Sequence, residues 1–116
     1  MIKIMIIAGT RPEWIKLASF IKELKKNKIP TIIINTGQHK DMSELAIKEF
    51  RIKINYDLHT MKYRRSLSNI ISYIIKNINS IIVSEKPSLI VVLGDTASTF
   101  AGAISAYHNK IPILHM

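Results

Sequence analysis

Met1-Ile2-Lys3-Ile4-Met5-Ile6-Ile7-Ala8-Gly9-Thr10-Arg11-Pro12-Glu13 opens the chain and decides how the rest is read. An apolar run ends in Gly9-Thr10 and passes directly into an amphipathic helix pattern with Lys16 in its second turn. A strand that turns through Gly-Thr into a helix builds an anion site from backbone N–H groups and the positive end of the helix dipole. Cations at that end oppose the dipole. Arg11 and Lys16 are therefore locally unfavourable unless something anionic lies between them, which predicts a phosphate-bearing ligand. Pro12 suits the first helical turn, and Thr10-x-x-Glu13 reads as a capping box.

Working outward, strand and helix patterns alternate along the whole chain, the signature of a parallel sheet with helices on both faces. The first strand spans residues 2–8 and the first helix 12–27, with Ile15, Ala18, Ile21 and Leu24 on one stripe. The second strand spans 31–35 and ends in Thr36-Gly37-Gln38-His39; a helix over 41–50 follows, with Met42, Leu45, Ala46 and Phe50 inward. Residues 52–56 read as a short third strand and 57–65 as a polar connection. From Leu67, Ile70, Ile71, Ile74, Ile75, Ile78, Ile81 and Ile82 recur at helical spacing until Pro87 ends the helix. The fourth strand, 89–93, is nearly all apolar, as a strand buried on both faces should be. It ends in Gly94-Asp95-Thr96, followed by a helix over 96–108 and a fifth strand over 111–115. Right-handed crossovers give the strand order 3-2-1-4-5, a Rossmann-like α/β sheet. The first and fourth strands are then neighbours whose following helices go to opposite faces, and ligands bind such sheets in the crevice at that switch point. The turns at Gly9 and Gly94 open onto it, with Thr36-Gly37-Gln38-His39 beside them.

Composition narrows the class. The 116 residues suffice for one domain with its own core, and 47% hydrophobic content argues against disorder. There are no cysteines, no leader pattern and no apolar stretch of membrane-spanning length, so the expectation is a cytoplasmic protein without disulfides or a membrane partner. The formal charge is +9. Nucleic acid is the first partner such a charge suggests. However, Lys22, Lys25, Lys26, Lys28, Lys48, Lys53 and Lys76 are scattered over helix faces without interleaved aromatics, so no nucleic-acid partner is expected. No His/Asp/Glu set has metal-ligand spacing, and neither a Gly-x-Gly-x-x-Gly nor a Walker pattern occurs, so no metal and no cofactor are expected.

Several residues stay open between two readings. Arg11 and Lys16 are anion ligands or surface cations. Glu13 is a capping-box partner or reaches a ligand. Asp95 is the N-cap of its helix or, if Thr96 takes that place, a free carboxylate for proton chemistry or a sugar hydroxyl. His115 belongs to the crevice or to the core. His39 lies in a loop beside the crevice, while His59 and His108 face solvent.

Gly9-Thr10-Arg11-Pro12-Glu13, Thr36-Gly37-Gln38-His39 and Gly94-Asp95-Thr96, in that order and spacing, resemble the non-hydrolysing UDP-N-acetylglucosamine 2-epimerases. Tyr56-Asp57-Leu58 and Met61-Lys62 extend the likeness, and Pro12-Glu13-Trp14 stands where the hydrolysing branch tends to carry Ala-Asp-Tyr. The resemblance implies the N-terminal part of a glycosyltransferase-B-like fold that interconverts UDP-N-acetylglucosamine and UDP-N-acetylmannosamine by eliminating and re-adding UDP. It implies Asp95, Arg11 and Lys16 as catalytic residues. Gly9, Thr10, Arg11, Glu13, His39, Thr96 and His115 become candidates for binding the UDP-sugar. Gln38 and Arg64 resemble a neighbouring regulatory UDP-sugar site of some bacterial members. Asp41 falls where those members have Gln, and would repel a diphosphate.

After the fifth-strand histidine the family continues Val-Glu-Ala-Gly-Leu-Arg, whereas here His115 is followed by Met116. The expectation is a partial N-terminal Rossmann-like domain over 1–116, without the C-terminal UDP-binding domain, inactive alone and prone to self-association through its fifth-strand edge. The alternatives are a stand-alone phosphate- or nucleotide-binding module and a self-assembling module built on that edge.

Overall fold

Strand β1 (Ile4–Ala8) is buried along its whole length because a parallel strand lies against it on each side. On one side β2 (Thr31–Asn35) pairs Ile6 with Ile33; on the other β4 (Leu89–Val92) pairs Ile6 with Val91. The short β3 (Tyr56–Asp57) flanks β2, and β5 (Ile113–His115) flanks β4. The resulting five-stranded sheet has the expected order β3-β2-β1-β4-β5. The computed structural model describes residues 2–38, 40–60 and 66–116, without the side chains of Lys40 and Asp41.

Helices α1 (Arg11–Lys26) and α2 (Lys40–Glu49) pack together over one face of the sheet; α3 (Leu67–Glu85) and α4 (Ala97–His108) pack together over the other. Each face has its own core. Ile6, Trp14, Leu17 and Val91 anchor the first, and Ile7, Ile74, Ile78 and Val92 the second. Strands β1 and β4 therefore send their following helices to opposite faces, which opens the switch-point crevice between them.

Four local expectations are corrected. The buried stripe of α1 carries Trp14, Leu17 and Leu24, while Ile15 is turned outward and lines the crevice. On α2, Met42, Leu45 and Phe50 face outward, and the inward positions are Ser43, Ala46 and Ile47. The third strand is only two residues long because the Asn55 side chain takes the Ile33 N–H at 2.8 Å, a donor that a longer ladder would use. The fifth strand starts late because Ile111 donates its N–H to Ala106 O, and Pro112 has none to give.

Candidate functional site

The β1–α1 turn is organised by Glu13. Thr10 is the N-cap of α1 in extended conformation, and the predicted capping box is formed. The Glu13 side chain is only 2% exposed. Its Oε1 accepts the Gly9 N–H at 3.0 Å, the Thr10 N–H at 3.0 Å and the Thr10 hydroxyl at 2.9 Å. Its Oε2 accepts the Thr96 hydroxyl at 2.7 Å and lies 3.3 Å from the Thr99 hydroxyl, whose own stronger acceptor is Leu93 O at 2.6 Å. The positive end of a helix favours an anion, and here the chain supplies its own. The Gly9 and Thr10 N–H groups expected to receive a ligand phosphate are thus spent on Glu13, and both Glu13 oxygens are engaged within the protein. Arg11 and Lys16 remain exposed, with no hydrogen-bond or ion-pair partner among the described residues. They line an open cleft of about 570 Å³ together with Thr10, Pro12, Ile15, Met42 and Thr96.

In the β4–α4 turn, Gly94 has φ +77°, a conformation that a side chain resists. Thr96 is the N-cap of α4, its hydroxyl accepting the Thr99 N–H at 3.2 Å. That decides between the two readings of Asp95: it is not the cap. Its carboxylate is exposed and has no partner among the described residues. His115 is likewise exposed rather than in the core, and its Nε2 donates to Gly94 O at 2.6 Å. Asp95, Thr96, Phe100 and His115 face one hollow between α4 and β5.

The turn after β2 reaches the same place. Thr36 is fully buried, and its Oγ1 lies 2.8 Å from the Ser98 Oγ. The Ser98 hydroxyl and N–H meet Gln38 Oε1 at 2.8 and 3.3 Å. Gly9 has to be glycine here, since a Cβ would fall 1.8 Å from Thr36 Oγ1. Gln38 is therefore held against the first turn of α4 through its oxygen. His39, the Asp41 side chain and Arg64 lie outside the described residues. His59 and His108 face solvent, as expected. Thr36, Ser98 and Thr99 were not singled out from the sequence. The available signal was the run Thr96-x-Ser98-Thr99 at a helix start, where hydroxyls commonly serve free backbone donors.

Three turns thus meet at the carboxyl ends of β1, β2 and β4, where Arg11, Lys16 and Asp95 are exposed without partners among the described residues. Fold and site together define a doubly wound, Rossmann-like sheet with a crevice at its topological switch point, the place where such sheets bind ligands. A sequence model of the UDP-N-acetylglucosamine 2-epimerase family matches residues 22–116. The UDP-N-acetylglucosamine 2-epimerase of Neisseria meningitidis serogroup A is 40% identical over 98% of this chain and 31% of its own length. That of Bacillus subtilis is 37% identical over 99% of this chain and 30% of its own. The solved structure of the Neisseria meningitidis epimerase bound to UDP-GlcNAc superposes with a TM-score of 0.93, at 40% identity over 99% of this chain and 31% of that one. The Methanocaldococcus jannaschii UDP-GlcNAc 2-epimerase, in complex with UDP-GlcNAc and UDP, gives 0.93 at 33% identity, over 99% of this chain and 32% of its own. This chain belongs to the UDP-N-acetylglucosamine 2-epimerase family. It spans about 31% of the length of these relatives.

Proposed function

We propose that this chain is part of the N-terminal Rossmann-like domain, over residues 1–116, of a cytoplasmic non-hydrolysing UDP-N-acetylglucosamine 2-epimerase, whose second domain binds UDP. The reaction is redox-neutral. The C2 proton and the C1-bound UDP leave together, a C1=C2 double bond forms, and UDP returns to C1 as C2 takes a proton on its opposite face. Such chemistry needs a cation set for the departing diphosphate and a carboxylate that exchanges a proton with carbon. Arg11 and Lys16 fit the first role and Asp95 the second. His39 and His115 are assigned to binding the UDP-sugar, with Gly9, Thr10, Glu13 and Thr96 shaping the floor. Gln38 and Arg64 suit a neighbouring regulatory UDP-sugar site, and Asp41 works against it by repelling a diphosphate. Gln38 would engage a ligand there through its amide nitrogen, since its oxygen is held by Ser98.

One observation carries this reading. Arg11, Lys16 and Asp95 stand exposed at the switch point without protein partners among the described residues, while Glu13, Thr96 and Gln38 around them are engaged. The test is turnover of UDP-N-acetylglucosamine by the full-length protein carrying this sequence, followed by proton NMR. Arg11→Ala should lower the rate by about 10²–10³, as expected for one oriented transition-state donor. Lys22→Ala, on the exposed body of α1, should leave it unchanged. Equal rates for both variants would contradict the assignment.

A further inference from the structure

We infer that Glu13 is a positioning residue that fixes the β1–α1 turn and the β4–α4 turn relative to one another. It does so from beneath the crevice, without touching the substrate. This role rests on the epimerase reading only for the chemistry it serves; the bridge itself is a matter of geometry.

Both carboxylate oxygens are used, and they are used on different turns. Oε1 gathers three donors from Gly9 and Thr10, at 2.9–3.0 Å. Oε2 reaches across 83 positions of sequence to the Thr96 hydroxyl at 2.7 Å. A local N-terminal cap needs only the first set. The bond to Thr96 is short, half-buried and charge-assisted, which places it among the stronger hydrogen bonds. Thr96 is in turn the cap of α4, so its hydroxyl accepts from Thr99 N–H while donating to Glu13. One carboxylate and one hydroxyl therefore set where both helices begin. Arg11 is two residues before Glu13, and Asp95 is one before Thr96. Elimination and re-addition both require the diphosphate-binding cations and the proton-exchanging carboxylate in fixed relation, where small misplacements are expensive.

Amide hydrogen exchange on the folded chain tests the bridge without any activity assay. Glu13→Ala removes it. Glu13→Gln, the variant to use should the first fail to fold, keeps one acceptor oxygen but replaces the other with a donor. In Glu13→Ala, Gly9 and Thr10 should exchange roughly tenfold faster, the factor expected for losing a hydrogen bond to a charged group, and in Glu13→Gln, which leaves them a neutral acceptor, by less. The amides of Thr99 and Phe100, which are bonded to the Thr96 hydroxyl and carbonyl, should accelerate as well, while Ile6, Ile33 and Val91 in the sheet stay unchanged. Reciprocally, Thr96→Val should loosen Gly9 and Thr10, and Thr96→Ser should restore their protection. Acceleration confined to Gly9 and Thr10 would overturn the proposal, because Glu13 would then be a local cap. In the full-length enzyme, Glu13→Gln should lower kcat with KM for UDP-N-acetylglucosamine near that of the parent. A raised KM with unchanged kcat would overturn the positioning role. Cross-crevice exchange coupling in a protein that binds no UDP-sugar would leave the bridge standing and remove the epimerase reading instead.

Discussion

Gly9 and Thr36 touch so closely that no side chain fits between them: a Cβ on Gly9 would sit 1.8 Å from Thr36 Oγ1 and 2.9 Å from Ser98 Oγ. Thr36 is fully buried and hydrogen-bonded to Ser98, so it has nowhere to go. Gly9→Ala should cost ~3 kcal/mol, the upper end for overpacking. Gly94→Ala meets no atom within 4 Å and carries only its φ of +77°, a cost of about 1–2 kcal/mol. Denaturant unfolding of the two variants checks the order. Gly94→Ala proving the more harmful would show that the Gly9–Thr36 contact relaxes freely.

Asp95 and Thr96 should separate function from stability. Thr96 holds the N-cap and donates to Glu13, so Thr96→Ala should lose about 2–3 kcal/mol. Asp95→Asn, at an exposed position without a partner, should stay within about 0.5 kcal/mol of the parent. In the full-length enzyme, Asp95→Asn should nevertheless abolish turnover, because an amide has no proton to exchange at neutral pH. A fully active Asn variant would remove Asp95 from the chemistry.

Far from the crevice, Lys3, Glu85 and Tyr56 tie together the starts of β1 and β3 and the end of α3. The hydrogen bond from Tyr56, and then that from Lys3, hold the Glu85 carboxyl below its ordinary value. The bond to Glu85, followed by desolvation, holds the Tyr56 hydroxyl above its own. A depressed carboxyl contributes stability above its unfolded value and loses it as pH falls through the folded one. A raised hydroxyl contributes below its unfolded value and loses it as pH rises through the folded one. The melting-temperature gap between the parent and Tyr56→Phe should therefore be widest near neutral pH. It should narrow in acid, below the ordinary glutamate range, and again in alkali, above the ordinary tyrosine range. A gap independent of pH would show that the cluster adds nothing through its charges.

The β5 edge is proposed as a site of association. Ile113, Leu114 and Met116 are 39–47% exposed on an unpaired edge, and Phe100 nearby is 53% exposed. Unpaired strand edges and apolar patches favour association, while the +9 charge opposes it. Salt screens that repulsion over about 8 Å at physiological strength. Light scattering should accordingly show larger species as salt rises. A monodisperse monomer of 13.2 kDa at high salt would contradict the proposal.

The sheet order was legible because β1, β2 and β4 are largely apolar, every crossover is long enough for a helix, and right-handedness leaves one arrangement. The Asp95 ambiguity was legible as an ambiguity, since either of two adjacent residues can cap a helix; only geometry chose Thr96. The anion site was misread at the level of donors. Nothing in Gly9-Thr10 reveals that a buried glutamate, already visible as a capping partner, takes both N–H groups. The inward face of α2 was misread for a different reason. Hydropathy favoured Met42 and Leu45, but close packing against α1 favoured small Ser43 and Ala46. The hydroxyl pair of Thr36 and Ser98 joins residues some 60 positions apart, a relation that only the folded topology creates.

The central claim is that the switch-point crevice between the Gly9 and Gly94 turns receives the UDP-sugar. Titration of the 15N-labelled chain with UDP-N-acetylglucosamine, read as amide shift changes, tests it most directly. Changes should centre on residues 9–16 and 94–97, persist in Lys22→Ala and vanish in Arg11→Ala. Changes elsewhere on the surface, or none at several millimolar ligand, would contradict the account.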